Sequence, residues 1–308
     1  MHSPFRLLSV RHRARRLGGL ALVATLFALP AASRAFAEDA PSRVHFLLNV
    51  EFSDKYLTPR GMIVQDKGLT TQVLFLAFAN LYRGDSFISD VTLMPGVWND
   101  YATSAIPAHL GPGSRKTHWV EYDPILGISF GFAKNFKLDV TYTEFAMQIL
   151  DIGTSRHLET KLSYDDSKVL GKFALHPYVS YWRELSGKAT AAANFGVPKS
   201  SYIDVGIAPS FASGSTKFEA PIRALLPSAN FYGETFGKKS SVALWELGVK
   251  ASGPASFMPE GYGHWNWHVG VRYMDFVDKN LQQLSTAGGF GSRTSSTTQL
   301  YTGISSFF

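Results

Sequence analysis

The sequence predicts an all-β fold: a transmembrane antiparallel β-barrel of about 12 strands, preceded by a cleaved signal peptide. Three observations predict it. The 308-residue chain opens on an arginine-rich and then apolar segment of export type. Beyond it, segment after segment alternates apolar and polar residues with period two, and no long stretch has a helical period. The connectors between these segments alternate long and short.

The leader is read over residues 1–37. Arg6, Arg11, Arg13, Arg15 and Arg16 precede an apolar run from Leu17 to Pro30, and Ala35-Phe36-Ala37 is an A-x-A cleavage pattern. The run is about 14 residues, too short for an ordinary membrane helix of about 20. Cleavage after Ala37 leaves one domain, residues 38–308. The formal net charge of +6 comes from 30 Lys+Arg against 24 Asp+Glu. Six of the arginines, Arg34 among them, lie in the leader and no acid does, so the mature chain is neutral. The basic isoelectric point near 9.3 belongs to the leader, and no nucleic-acid partner is expected. Zero cysteine excludes disulfide scaffolds, thiolate metal sites and cysteine nucleophiles. The 45% hydrophobic content with only 18% charged residues excludes a wholly disordered chain.

Strands are expected near 44–53, 70–82, 86–97, 118–132, 136–147, 156–165, 171–184, 201–212, 216–226, 241–252, 264–276 and 297–308. The clearest places Trp265, Trp267, Val269, Val271 and Tyr273 on one face and His264, Asn266, His268, Gly270 and Arg272 on the other. Residues 86–97 and 171–184 alternate least well. Short connectors at Arg83-Gly84-Asp85, Lys134-Asn135 and Ser213-Gly214-Ser215 read as inner turns. Connectors near 54–69, 98–117, 185–200, 227–240 and 277–296 read as outer loops, with both termini inside. Residues 253–263 dissent, being long for an inner turn.

Two signals agree with a membrane barrel. Tyr82, Trp98, Trp119, Tyr122, Tyr181, Trp182 and Trp265 lie near strand ends, where aromatic girdles form. Phe308 closes an amphipathic strand with Leu300, Thr302 and Ile304 on its face, which resembles a sorting signal read by the barrel-assembly machinery. Ser306 stands where a second aromatic is commoner. The alternative is a soluble exported β-sandwich or lipocalin-like barrel with its apolar faces inward. Small residues on the polar faces (Gly127, Ser129, Gly131, Gly206, Ser210, Gly248, Gly270) suit a lumen better.

The stretch Ser53-Asp54-Lys55-Tyr56-Leu57-Thr58-Pro59-Arg60-Gly61 resembles the first hairpin of the TorF-like outer-membrane porin family, which carries a serine, a tyrosine and then Arg-Gly. Glu121-Tyr122-Asp123-Pro124-Ile125-Leu126-Gly127-Ile128-Ser129-Phe130 is similar to that family's middle hairpin. Thr-Pro precedes Arg60-Gly61 where the family has an aromatic or aliphatic residue. The resemblance implies a barrel of 12 or so strands with a porin's function, and no catalytic residues.

No catalytic, metal or cofactor-binding residue is expected, and no cofactor. His264 and His268 share a strand face, but four residues of strand separate them by about 13 Å, too far for one ion. His45, His157 and His176 read as single strand histidines. No H-x-S pattern marks a lipid-modifying enzyme, and His176 and Ser180 are about 13 Å apart on their strand. Asp165-Asp166 is not spaced as a calcium loop, and Gly288-Gly289 has no following Lys-Ser/Thr for phosphate.

The lumen charges carry the functional reading. The expected pore-lining residues are Glu159, Lys161, Asp204, Lys217, Glu219, Arg223, Lys250, His268 and Arg272, with Glu51, Asp123, Lys137, Asp139 and Glu246 also facing inward. Basic residues gather on the ninth to eleventh strands and acids on the first to eighth, which predicts a field across the pore. The sequence therefore reads as a porin-like channel in the outer membrane of a Gram-negative bacterium, embedded in its lipids and passing small hydrophilic solutes. A non-conducting adhesive or structural barrel and an outer-membrane lipid-modifying enzyme are the alternatives.

Overall fold

The computed structural model describes residues 43–104, 117–149, 153–186, 200–228, 231–258, 263–284 and 293–308. The leader and its cleavage site lie outside the described residues.

The chain runs through β1 (Val44–Ser53), a small hairpin β2 (Tyr56–Leu57) and β3 (Ile63–Gln65), then β4 (Thr70–Arg83), β5 (Ile88–Ala102), β6 (Trp119–Phe132), β7 (Phe136–Met147) and β8 (Ser155–Tyr164). A helical turn α1 (Ser167–Leu170) and a 3-10 turn (Gly171–Phe173) lead to β9 (Tyr178–Glu184). There follow β10 (Ser201–Ile207), β11 (Ser210–Ser213), β12 (Thr216–Glu219), β13 (Ile222–Pro227), β14 (Leu244–Pro254), β15 (His264–Phe276), α2 (Lys279–Leu284) and β16 (Ser296–Phe307). Each main strand pairs antiparallel with its sequence neighbour, and β1 pairs with β16, so the sheet closes as a barrel of 12 strands.

Two of those 12 are broken. β10 and β11 are interrupted at Ala208-Pro209, and β12 and β13 at Ala220-Pro221. Proline has no N–H to give a ladder, so each strand stops there. The ladder is bridged by Ala220 N–H to the Pro209 carbonyl at 2.9 Å and Gly248 N–H to the Pro221 carbonyl at 2.8 Å.

The faces are inverted relative to a soluble protein. Leu126, Val205, Leu247, Val249, Val269 and Leu300 point outward and are exposed, while Asp123, His157, Ser180, Asp204, Glu246 and Gln299 point inward and are buried. An aqueous protein would not leave such a continuous apolar belt uncovered. Aromatic pairs mark its edges. Trp119–Tyr122 sits at the outer end, and Phe132–Phe136, Phe136–Tyr164 and Phe211–Phe218 at the inner. From Tyr122 to Phe132 the strand rises about 33 Å, or about 25 Å along the barrel axis at a tilt of about 40°, the height of a membrane-facing band.

Two expectations about elements change. The strand expected over 171–184 starts only at Tyr178. The Asp166 carboxylate accepts the backbone N–H groups of Leu175 and His176 at 2.9–3.0 Å, Gly171 has φ +58°, and Pro177 lacks a donor. Those donors are no longer free for a ladder, and the inner connector is correspondingly long. The third barrel strand reaches Ala102 instead of residue 97, because the 98–102 segment pairs with both neighbours. The long 253–263 connector is an inner turn in its described part, with Ala255 N–H bonded to the Trp265 carbonyl at 2.8 Å.

Candidate lumen site

The first outer connector does not project outward. The hairpin of β2 and β3 folds into the barrel mouth. Its tip closes through Gly61 N–H to the Thr58 carbonyl and Thr58 N–H to the Met62 carbonyl, each 2.9 Å, with Met62 N–H on Thr58 Oγ1 at 3.1 Å. Wall residues grip it on several sides. The Tyr56 hydroxyl donates to Glu121. The Arg223 Nη2 donates to the Pro59 carbonyl at 2.6 Å, and the Tyr232 hydroxyl to the Arg60 carbonyl at 2.7 Å. Burial, reinforced at Tyr56 by Glu121, pushes both hydroxyls well above the usual tyrosine range, so they stay protonated donors.

Above and around the tip lies an apolar cluster of Leu57, Ile63, Leu225, Phe231, Leu244, Phe276 and Leu281. An aromatic row runs from Phe145 to His157 (4.0 Å), His157 to Trp182 (4.5 Å) and Trp182 to Tyr202 (4.9 Å). The Arg60 guanidinium rests on this row, 4.5 Å from the Phe145 ring and 5.5 Å from that of Trp182.

Beneath the hairpin is a cavity of about 510 Å³. Five of the expected pore-lining residues border it: Glu159, Lys161, Asp204, Arg223 and Arg272. Arg223 bonds Asp204 and reaches Glu246 at 2.6–2.7 Å, and Arg272 Nε lies 3.3 Å from Glu246. Glu159 accepts the Ser180 hydroxyl at 2.6 Å. Lys161 Nζ sits 4.3 Å from the Tyr178 ring centre. The other four do not border this cavity. Lys217 and Lys250 meet Glu219 at 2.8 and 3.7 Å, and His268 Nε2 lies 3.4 Å from Glu51 Oε2.

The expected field across the pore is therefore altered. The cations of the ninth to eleventh barrel strands are neutralised locally by Asp204, Glu219 and Glu246, as buried charge requires. The opposite wall is not uniformly acidic either. Gln72 borders the cavity, and Leu74, Leu76 and Phe78 follow it on the same face of β4. The acids of that side concentrate in one buried group, Asp100, Glu121 and Asp123, beside the hairpin.

Two clusters escaped the sequence reading. Ser155 Oγ lies 2.8 Å from His157 Nε2 and 3.2 Å from Glu184 Oε1, all three residues fully buried. The search for H-x-S could not find it, because the order is Ser-x-His and the acid comes from the neighbouring strand, where Glu184 faces His157. With no exposed serine oxygen, the cluster as it stands offers a substrate no access. At the inner end, the ligand atoms of Asp165, Asp166 and His176 lie within 4.8 Å of one another. Their polar atoms already serve the turn: Asp165 accepts Ser167 N–H at 3.0 Å and Asp166 holds Leu175 and His176. His264 and His268 remain four residues apart on β15.

No family model and no curated protein matches the chain. Solved structures do. An outer membrane channel from Pseudomonas putida F1 is 10% identical, with a TM-score of 0.48, over 88% of this chain and 97% of that one. The CymD monoaromatic hydrocarbon channel is 12% identical, with a TM-score of 0.40, over 87% and 88%. The translocator domain of the autotransporter NalP from Neisseria meningitidis is 11% identical, with a TM-score of 0.40, over 88% and 90%. At this identity the likeness transfers neither activity nor solute.

Proposed function

We propose that the protein is an outer-membrane channel that passes small hydrophilic solutes passively. The observation that carries this reading is the inner face. A closed 12-strand barrel, apolar outside, encloses a charged and hydroxyl-rich cavity of about 510 Å³. Twelve strands stand between the eight that side chains fill and the sixteen that leave an open aqueous pore. The inserted hairpin narrows that space, so selection falls to its tip and to the wall it faces.

Planar-bilayer conductance of the refolded mature chain tests the reading. Discrete current steps are expected. A correctly inserted but silent barrel would overturn it in favour of a structural or adhesive role. The Ser155–His157–Glu184 contact gives the enzyme reading its one specific support, and its burial opposes it. Labelling of Ser155 by a fluorophosphonate would reverse that judgement.

A further inference from the structure

Arg60 and Asp123 border the same cavity and are 6% and 5% exposed. They act on each other only at a distance: among the described residues no carboxylate lies within 4.0 Å of the Arg60 guanidinium. Its plane rests on aromatic rings, and its Nε has no hydrogen-bond partner there. On the other side, the Asp123 carboxyl meets that of Glu121 and keeps Oδ1 without a partner. Two carboxyls in contact cannot both hold full charge without a cation beside them. Arg60 Nε and Asp123 Oδ1 are thus buried polar atoms without partners, which is costly unless a ligand completes them. Arg223, in the same cavity, is already bonded to Asp204 and Glu246, and Arg272 Nε lies 3.3 Å from Glu246.

We propose that this cavity is a binding station for a zwitterionic amino acid with an apolar or aromatic side chain. The ammonium group sits at Asp123, the carboxylate at Arg60, and the side chain lies along Trp98, Ile125 and Phe145. The inference rests on the channel reading and names its solute class. A simple anion would meet Asp123, and a simple cation would meet Arg60; only a molecule with both charges satisfies both.

Calorimetric titration of the refolded protein in detergent tests this with four probes of one body: phenylalanine, 3-phenylpropionate, phenethylamine and 2-phenylethanol. Phenylalanine is expected to bind at least about tenfold more tightly than each of the others, because each lacks one or both charge-assisted contacts. Arg60→Gln should bring phenylalanine down to the affinity of phenethylamine, and Asp123→Asn to that of 3-phenylpropionate. Equal affinity of phenylalanine with either singly charged probe, or no binding of phenylalanine, overturns the proposal. The four-probe comparison on the unaltered protein stands even where a variant fails to fold. Conductance without phenylalanine binding sinks the zwitterion alone, whereas a silent bilayer sinks the channel reading.

Discussion

Arg223 of the barrel wall holds Pro59 of the inserted hairpin, its Nη2 2.6 Å from the proline carbonyl, while the same guanidinium bonds Asp204 and Glu246. One side chain thus ties together the wall's ion network and the element that narrows the lumen. Arg223→Gln should leave the largely buried Asp204 without its cation and Glu246 with Arg272 alone, and cost about 3 kcal/mol. It should also release the hairpin tip. Urea unfolding checks the first effect, and larger or noisier single-channel currents the second; a variant of unchanged stability and unchanged current would show the link to be idle.

Gly61 sits at that tip with φ +81°, and a Cβ there would stand 2.8 Å from Leu244 Cδ2 and 3.0 Å from Phe276 Cε1. Gly61→Ala should cost about 1–2 kcal/mol from backbone conformation alone, with the clash added. The expected readout is a lower melting temperature together with faster proteolysis within 54–69, since the strain falls on the hairpin.

Ser155→Ala removes hydroxyl contacts to His157 and Glu184. A structural cluster predicts a loss of about 1–2 kcal/mol in unfolding free energy and unchanged conductance. If the variant instead abolished a measurable lipid hydrolysis, the enzyme reading would return.

Val249 lies in the middle of β14 on the lipid-facing side. Val249→Arg should weaken insertion by about 2–4 kcal/mol at the bilayer midplane. Equilibrium folding into lipid vesicles measures this. A change near zero would place that wall in water or against protein.

The inner turn should respond to acid. The side-chain and backbone contacts of Ser167 hold the Asp165 carboxyl below the ordinary carboxylate range. At Asp166, burial alone would raise the carboxyl, but N–H bonds from His176 and Leu175 outweigh it and the net shift is also downward. A folded value below the unfolded one, near about 3.9, means the stabilisation is fully present above that pH. It is lost as pH falls through the lower folded values. Hydrogen exchange at Leu175 and His176 should therefore stay slow at neutral and mildly acidic pH and quicken only in stronger acid. Asp166→Asn should abolish that dependence.

Much of the architecture was legible because β-strand alternation is a one-dimensional signal. Trp245, Leu247 and Val249 against Glu246, Gly248 and Lys250 fix two faces without any knowledge of neighbours. What alternation cannot carry is contact between strands. That Arg223 meets Asp204 and Glu246 depends on register across three strands, so residues expected to form a basic wall belong to a neutral network. The helical turn at 167–173 was hidden because its cause, Asp166 capturing two N–H groups up to ten residues away, is a loop geometry with no periodic trace. The inward course of the 54–69 connector was equally unreadable. Arg60 looked like part of an outer loop, and only the aromatic row formed by Phe145, His157 and Trp182 gives it a place inside.

The pairing of Val50 with Ile304, and of Ser53 with Tyr301, brings together residues some 250 positions apart. Until β16 is made, β1 and β15 each present a row of unsatisfied amide and carbonyl groups, and in lipid such a row has no water to fall back on. Any form of the barrel that lacks this pairing is an open sheet, and the lumen is enclosed only where the β1–β16 ladder is made.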